Sequence, residues 1–416
     1  MWNYTRLLKW VSETAAATGS LRAVSAGLIL CVATGARGEG EDWPWWRGPE
    51  KSGISREKTW NPAALSGGAK VSWKVELGKG FSSVSVKGSR LYTMGNVGDK
   101  DIVYCLNIED GKEVWRHAYD CRLGSHPGPR ATPAIEEGVV YTLSREGHVL
   151  CLDAETGAVK WQKNVVGEYG AGILTWGLAS SPVIEGDMLL LNAGKHCTVL
   201  AKATGEKIWS GGPGKGNYSS AVVYEREGGK GIAVFGEAHV YGLDLASGKE
   251  LWSYPWQTAY NVNAADPIVR GNKVFISSGY DHGCALLEIN DGRPSLAWEN
   301  KSMRNHFSSS VFLDGHLYGI DGNAGSGSLR CLEFETGKVA WSQDLGFGSL
   351  MIADGKLIVL NERGKLFIAE AVPDGYKEVS SADTGLSPRC WTSPVLCRGR
   401  IFCRNSEGAL IAVDVR

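Results

Sequence analysis

The chain is poor in the signatures that usually announce chemistry. It has ten cysteines in 416 residues, but none are adjacent and none form CxxC or CxxCH. That excludes a zinc knuckle and a covalently held c-type haem. There is no HExxH and no nucleophile elbow. No sign of charge dominates: 44 Lys and Arg face 45 Asp and Glu, for a net charge of −1. Such a balance leaves no electrostatic footprint for nucleic acid or an anionic membrane. No stretch keeps a helical period for long. The one long uncharged run, AVSAGLILCVATGA at 23–36, is too short to span a bilayer as a helix.

That run reads as an export signal instead. Arg6, Lys9 and Arg22 precede it, and Thr34-Gly35-Ala36 offers small residues for cleavage. Cys31 follows Leu30, where a lipid-attachment motif wants a small residue, so simple export is expected over a lipid anchor. The expected division is a signal at 1–36, a Trp/Pro-rich lead-in at 37–70 and one large domain at 71–416. The expected location is the periplasm or the medium, with no transmembrane span.

What the chain has in abundance is glycine (55) and tryptophan (16), and they recur together. Gly-x-x-x-Trp aligns Gly111/Trp115, Gly157/Trp161, Gly205/Trp209, Gly248/Trp252 and Gly337/Trp341. Gly292/Trp298 carries two extra residues, and Trp73 extends the series backwards. A period in the forties marks a repeat architecture. Within each period, short β-rich runs are separated by Gly and Asp turns, as in ATPAI, VVYTL, HVLCLD and VKWQK. Four antiparallel strands per repeat make a propeller blade. Seven blades can be counted to about Tyr376, which lies near the expected tryptophan place. The eighth, at 392–415, has only three strands, and VSWKVEL at 71–77 supplies the fourth. The fold class is therefore all-β: an eight-bladed propeller closed by a strand from each end. Closure also pairs strand edges that would otherwise invite aggregation.

The phrase Asp153-Ala154-Glu155-Thr156-Gly157 to Trp161 resembles the tryptophan-docking repeat of pyrroloquinoline-quinone (PQQ)-type propellers. That family includes quinoprotein dehydrogenases and the outer-membrane assembly lipoprotein BamB. DWPWWRGPEKSGIS (42–55), GSHPGPRATPA (124–134), NHFSSSVFLDGHLYG (305–319) and CWTSPVL (390–396) resemble exported PQQ-like repeat proteins. The resemblance implies the propeller, but both enzymes and scaffolds use it. The leucine before Cys31 and the WPWWRGP lead-in depart from BamB. The lack of adjacent cysteines departs from the large PQQ dehydrogenases.

The repeat tryptophans read as seam-filling rings. Cys105, Cys151 and Cys331 share a third-strand phase, where neighbouring blades would stand about 12 Å apart. Disulfides need less than about 7 Å, so these read as small core residues. Cys121 and Cys390 lie in inter-blade loops and are a candidate pair. His148, His196 and His239 also share a phase too wide for one metal, and no metal site is expected. The inter-blade loops and the second-to-third-strand loops should gather on one rim. The candidate ligand residues there are Arg130, Trp176, Asn263, Arg304, His306, Arg389 and Trp391. If the site held PQQ with Ca²⁺, Arg130, Arg304 and Arg389 would face carboxylates, a tryptophan would stack, Asp266 with Asn263 would offer hard oxygens, and Asp266 would be the general base. The leading expectation is an exported module that binds a small molecule, a polysaccharide or an envelope protein. The competing one is a PQQ/Ca²⁺ alcohol or sugar oxidoreductase.

Overall fold

The computed structural model describes residues 41–416. The expected export signal, Cys31 and the first residues of the lead-in lie outside them. Eight antiparallel sheets follow one another in chain order. Blade one comprises Ser85–Lys87, Arg90–Val97, Lys100–Asn107 and Glu113–Asp120. Six more complete blades span 134–164, 183–210, 222–255, 268–300, 311–343 and 348–383. The last sheet takes Val395–Cys397, Arg400–Arg404 and Ala409–Asp414 from the C-terminus and Val71–Glu76 from the front. Glu76 pairs with Ala409 and Val71 with Val413, so the ring closes by the expected stagger. Among the described residues no helix is long and apolar enough to cross a membrane.

Local sequence explains the strand order. Glu137-Gly138, Asp314-Gly315, Asp354-Gly355 and Arg398-Gly399 all have positive φ at both positions. Two such residues make the turn whose twist matches an antiparallel hairpin. These turns join the innermost strand of a blade to its second strand.

The tryptophans dock each blade on the next. Trp115 lies 8 % exposed and donates its indole N–H to the Ala154 carbonyl of blade two at 2.9 Å. Trp73, Trp161, Trp209, Trp298 and Trp341 donate in the same way to Ile108, Lys202, Leu245, Phe334 and Val372. The turn glycine of the receiving blade lies flat on the ring. A Cβ on Gly157 would come within 2.6 Å of Trp115. The Gly-x-x-x-Trp phrase is thus two halves of different contacts: its glycine receives the previous ring and its tryptophan reaches the next blade. Each buried ring stabilises by about 2–3 kcal/mol on area bookkeeping.

Two blades break the pattern. The irregular turn at Gly292 offers no docking surface, so Trp252 folds back over Gly242 and donates to the Tyr224 hydroxyl at 3.1 Å. In blade seven the register places Ser380 opposite Ile368, where Trp161 stands opposite Cys151. Tyr376 therefore does not occupy the tryptophan place; it lies before the outer strand and packs edge-on against Trp341. The lead-in supplies the missing bulk, since Trp60 and Leu65 are buried with Ile368, Ala382 and Ile401.

All nine described cysteines are free and buried. Cys121 and Cys390, the candidate pair, are both free. Burial pushes both thiols up to about 12, so they are poor nucleophiles.

Candidate functional site: a ring-lined cavity at the channel mouth

Aligning the blades by their innermost strands reveals one repeated approach: Phe81-Ser-Ser-Val, Arg130-Ala-Thr-Pro, Ala179-Ser-Ser-Pro, Tyr218-Ser-Ser-Ala, Ala264-Ala-Asp-Pro, Phe307-Ser-Ser-Ser, Phe347-Gly-Ser-Leu and Trp391-Thr-Ser-Pro. Two rows of side chains result. The first residue of seven phrases lines one cavity of about 420 Å³ at the channel mouth, while Phe347 is buried in the core behind it. The third residue forms a belt below it. Thr132 N–H donates to Ser181 Oγ, Ser181 to Ser220 Oγ, Ser220 to Asp266 Oδ1, and Asp266 to Ser309 Oγ, each at 2.8–2.9 Å. This hydrogen-bonded belt ties five blades together around the axis. Small hydroxyl residues suit a crowded axis because they satisfy backbone donors without filling the channel.

Asp266 is the belt's exception. Its second oxygen accepts the Trp46 indole N–H at 2.7 Å, and the half-buried Arg47 lies near enough for its charge to act on it. Burial raises its pKa; the charge of Arg47 and the hydrogen bonds from Trp46 and Ser220 oppose that rise. Arg47 itself donates to the Ser52 and Ser310 carbonyls. The lead-in thereby plugs the channel from the far side. Trp43 pairs with Val86, Trp45 donates to the Ile135 carbonyl, Lys51 to that of Ile184, and Ile54 pairs with Ile352. A second cavity of about 300 Å³ lies on the plug side and shares Trp46, Ser220 and Asp266 with the first. That trio is the partition between them.

The structure brings Arg130, Trp176, Asp266, His306 and Trp391 to the mouth cavity. It sets the other candidates apart. Arg304 is committed to Asp321 through two nitrogens and to Asp281 through a third. Asn263 is fully buried, donates to the Gly236 carbonyl and accepts from Ser278. Arg389 is exposed, with φ +74°, outside the lining. Sequence reasoning missed Trp46, Phe81 and Phe307 among the lining rings. Phe81 was detectable from the repeat phase it shares with Trp391; Trp46, from a non-repeating segment, was not.

The rings touch in a chain around the mouth. Tyr260 lies 5.3 Å from Tyr280, Tyr280 4.5 Å from His306, and Phe307 4.9 Å from Trp391. Trp391 stacks on Phe81 at 5.7 Å, and the Arg130 guanidinium lies over Phe81 at 5.6 Å. Across the mouth, Trp176 contacts His126 and Tyr218. Burial pushes His306 down to about 4, so it is neutral near pH 7. Among the described residues no cluster of His, Cys, Asp and Glu is arranged to hold a metal.

The fold and this repeat chemistry coincide with known proteins. A family model described as outer membrane protein assembly factor BamB matches residues 99–343, more than half of the chain. The chain belongs to the BamB family. The BamB of Moranella endobia (strain PCIT) is 23% identical over 80% of this chain and 74% of its own length. Among solved structures, BamB from Moraxella catarrhalis aligns with a TM-score of 0.61 and 14% identity, covering 83% of this chain and 97% of that one. A quinohemoprotein alcohol dehydrogenase from Comamonas testosteroni aligns with a TM-score of 0.68 and 14% identity, covering 90% and 80%. At such identity the two structures share the propeller with this chain and no more.

The lining also bears on the cofactor of the dehydrogenase relatives. PQQ carries three carboxylates. Of the three arginines expected to face it, only Arg130 lines the cavity. Both oxygens of Asp266 already accept hydrogen bonds, and Asn263 is locked in its own network. The residues present do not fit PQQ with Ca²⁺.

Proposed function

We propose that this BamB-family propeller is an exported, non-catalytic binding module whose mouth cavity holds part of an envelope protein, in support of outer-membrane protein assembly. The observation that carries this reading is the lining itself. Seven aromatic side chains, two imidazoles and one guanidinium converge on a concave mouth, with no free carboxylate pair or metal cluster beside them among the described residues. An apolar concavity with few convergent polar groups is built to bind. Rings with one polar edge are the side chains that dominate binding energy at protein interfaces. The family relatives named as assembly factors support the partner class.

A photo-crosslinking residue placed at Trp176 should give discrete adducts with envelope proteins in cells, and the same residue at Val339, on the outer perimeter, should not. Calorimetric titration of the purified protein with PQQ and Ca²⁺ should show no saturable heat. One-to-one, Ca²⁺-dependent binding would overturn the reading in favour of a quinoprotein, and so would the absence of adducts at Trp176.

A further inference from the structure

The first residue of the repeated approach phrase is aromatic in five blades and alanine in two; only in blade two is it charged. That residue is Arg130. Its guanidinium donates to the carbonyls of Gly128 and His126, and no carboxylate among the described residues lies within ion-pair distance of it. The lining's one carboxylate, Asp266, is occupied by Trp46 and Ser220 at the partition. One flank of the guanidinium is the Phe81 ring, itself stacked on Trp391. A cation without a close counter-ion, set at a phase where most other blades carry rings, is costly for the free protein. It becomes favourable when an anion enters, because charge-assisted bonds to a guanidinium are strong and directional.

From this we infer that the mouth cavity recognises a flat aromatic group bearing one carboxylate, the ring lying among Phe81, Trp391 and Trp176 and the carboxylate meeting Arg130. The inference rests on the binding reading above and names its ligand class. Two sources share that chemistry: the C-terminal aromatic residue of a partner polypeptide and a free aromatic acid. The two alanines, Ala179 and Ala264, flank Tyr218 and leave that side of the mouth open, which gives room for a chain to lead away from the bound ring.

The repeat itself supplies the variant. Arg130→Phe installs the residue that blades one, six and seven carry at this phase. The full-length protein and this variant are titrated by calorimetry with three probes: a short peptide ending in phenylalanine with a free carboxylate, the same peptide amidated, and 3-phenylpropionate. The expected result is saturable binding of the free-carboxylate peptide, weakened about tenfold or more by amidation and by Arg130→Phe, with melting temperature held by the variant. If Arg130→Phe melts early, Arg130→Lys is used, which keeps the charge but not the fork and should weaken the peptide while leaving the amidated one unchanged. A peptide much tighter than 3-phenylpropionate assigns the site to a polypeptide terminus; equal affinity assigns it to a free acid. Equal binding of the free and amidated peptides, or no binding of either acid at millimolar concentration, overturns the inference. Crosslinked envelope adducts at Trp176 would survive that failure, so the two readings fail separately.

Discussion

At the scale of single residues, two buried groups make measurable commitments. His306 is enclosed by Tyr280, Phe307 and Phe347 and is neutral in the fold, with its pKa pushed by burial down to about 4 from an ordinary 6.5. Between those values the unfolded chain binds the proton and the folded one does not. Stability is therefore full above about pH 6.5 and falls as the pH drops towards 4, by roughly 2–3 kcal/mol. Urea unfolding at several pH values should show this slope, and His306→Gln should flatten it. Asp266 poses a different constraint, because both its partners are donors. Serine would keep the bond from Ser220, as the other blades do, but lose Trp46, costing about 1–2 kcal/mol. Asparagine can accept from only one partner and turns an N–H towards the other. Asp266→Asn should thus be no better than Asp266→Ser in denaturant unfolding, and an isosteric rescue by asparagine would show that charge and acceptor count do not matter there.

At the scale of elements, the docking of tryptophan on glycine separates two costs that usually travel together. Gly138 and Gly157 both adopt positive φ, but only Gly157 faces a ring. Gly138→Ala should cost about 1 kcal/mol for backbone strain alone. Gly157→Ala should cost roughly 1–3 kcal/mol more, because Trp115 must move. Thermal melts of the pair test this directly; equal losses would mean that the seam yields at no cost. The exceptions follow the same physics. Where the turn at Gly292 fails to present a flat surface, Trp252 finds its partner within its own blade. Where blade seven has serine, the lead-in brings Trp60.

At the scale of the whole molecule, closure depends on Val71–Glu76. Removing it exposes the edge of Ala409–Asp414 and the seam where Trp73 docks on blade one. The closing seam also holds Arg404, fully buried and donating to Ser82, Met94 and Gly78 carbonyls and the Thr93 hydroxyl. Deleting 71–76 should abolish the cooperative thermal transition. Deleting the plug at 41–57 should instead lower the melting temperature and leave a single transition, since the eight sheets remain paired. A cooperative melt in the first deletion would contradict staggered closure; loss of one in the second would make the plug part of the folding unit.

The repeat period determined the fold from the sequence alone. Gly-x-x-x-Trp recurs because each blade must present a bare backbone to one neighbour and a ring to the other, so fold and contact are written in the same local phrase. The same periodicity contained the mouth row from Phe81 to Trp391. Candidates chosen by residue type alone mixed cavity residues such as Arg130 with the ion-paired Arg304 and the buried Asn263. The tertiary structure decided what no local pattern carries. Trp46 meets Asp266 across 220 positions and Arg47 meets Ser310 across 263. Those contacts set Asp266 into a partition and close the channel. They come from a segment that occurs once, so no repeat period announces its partners.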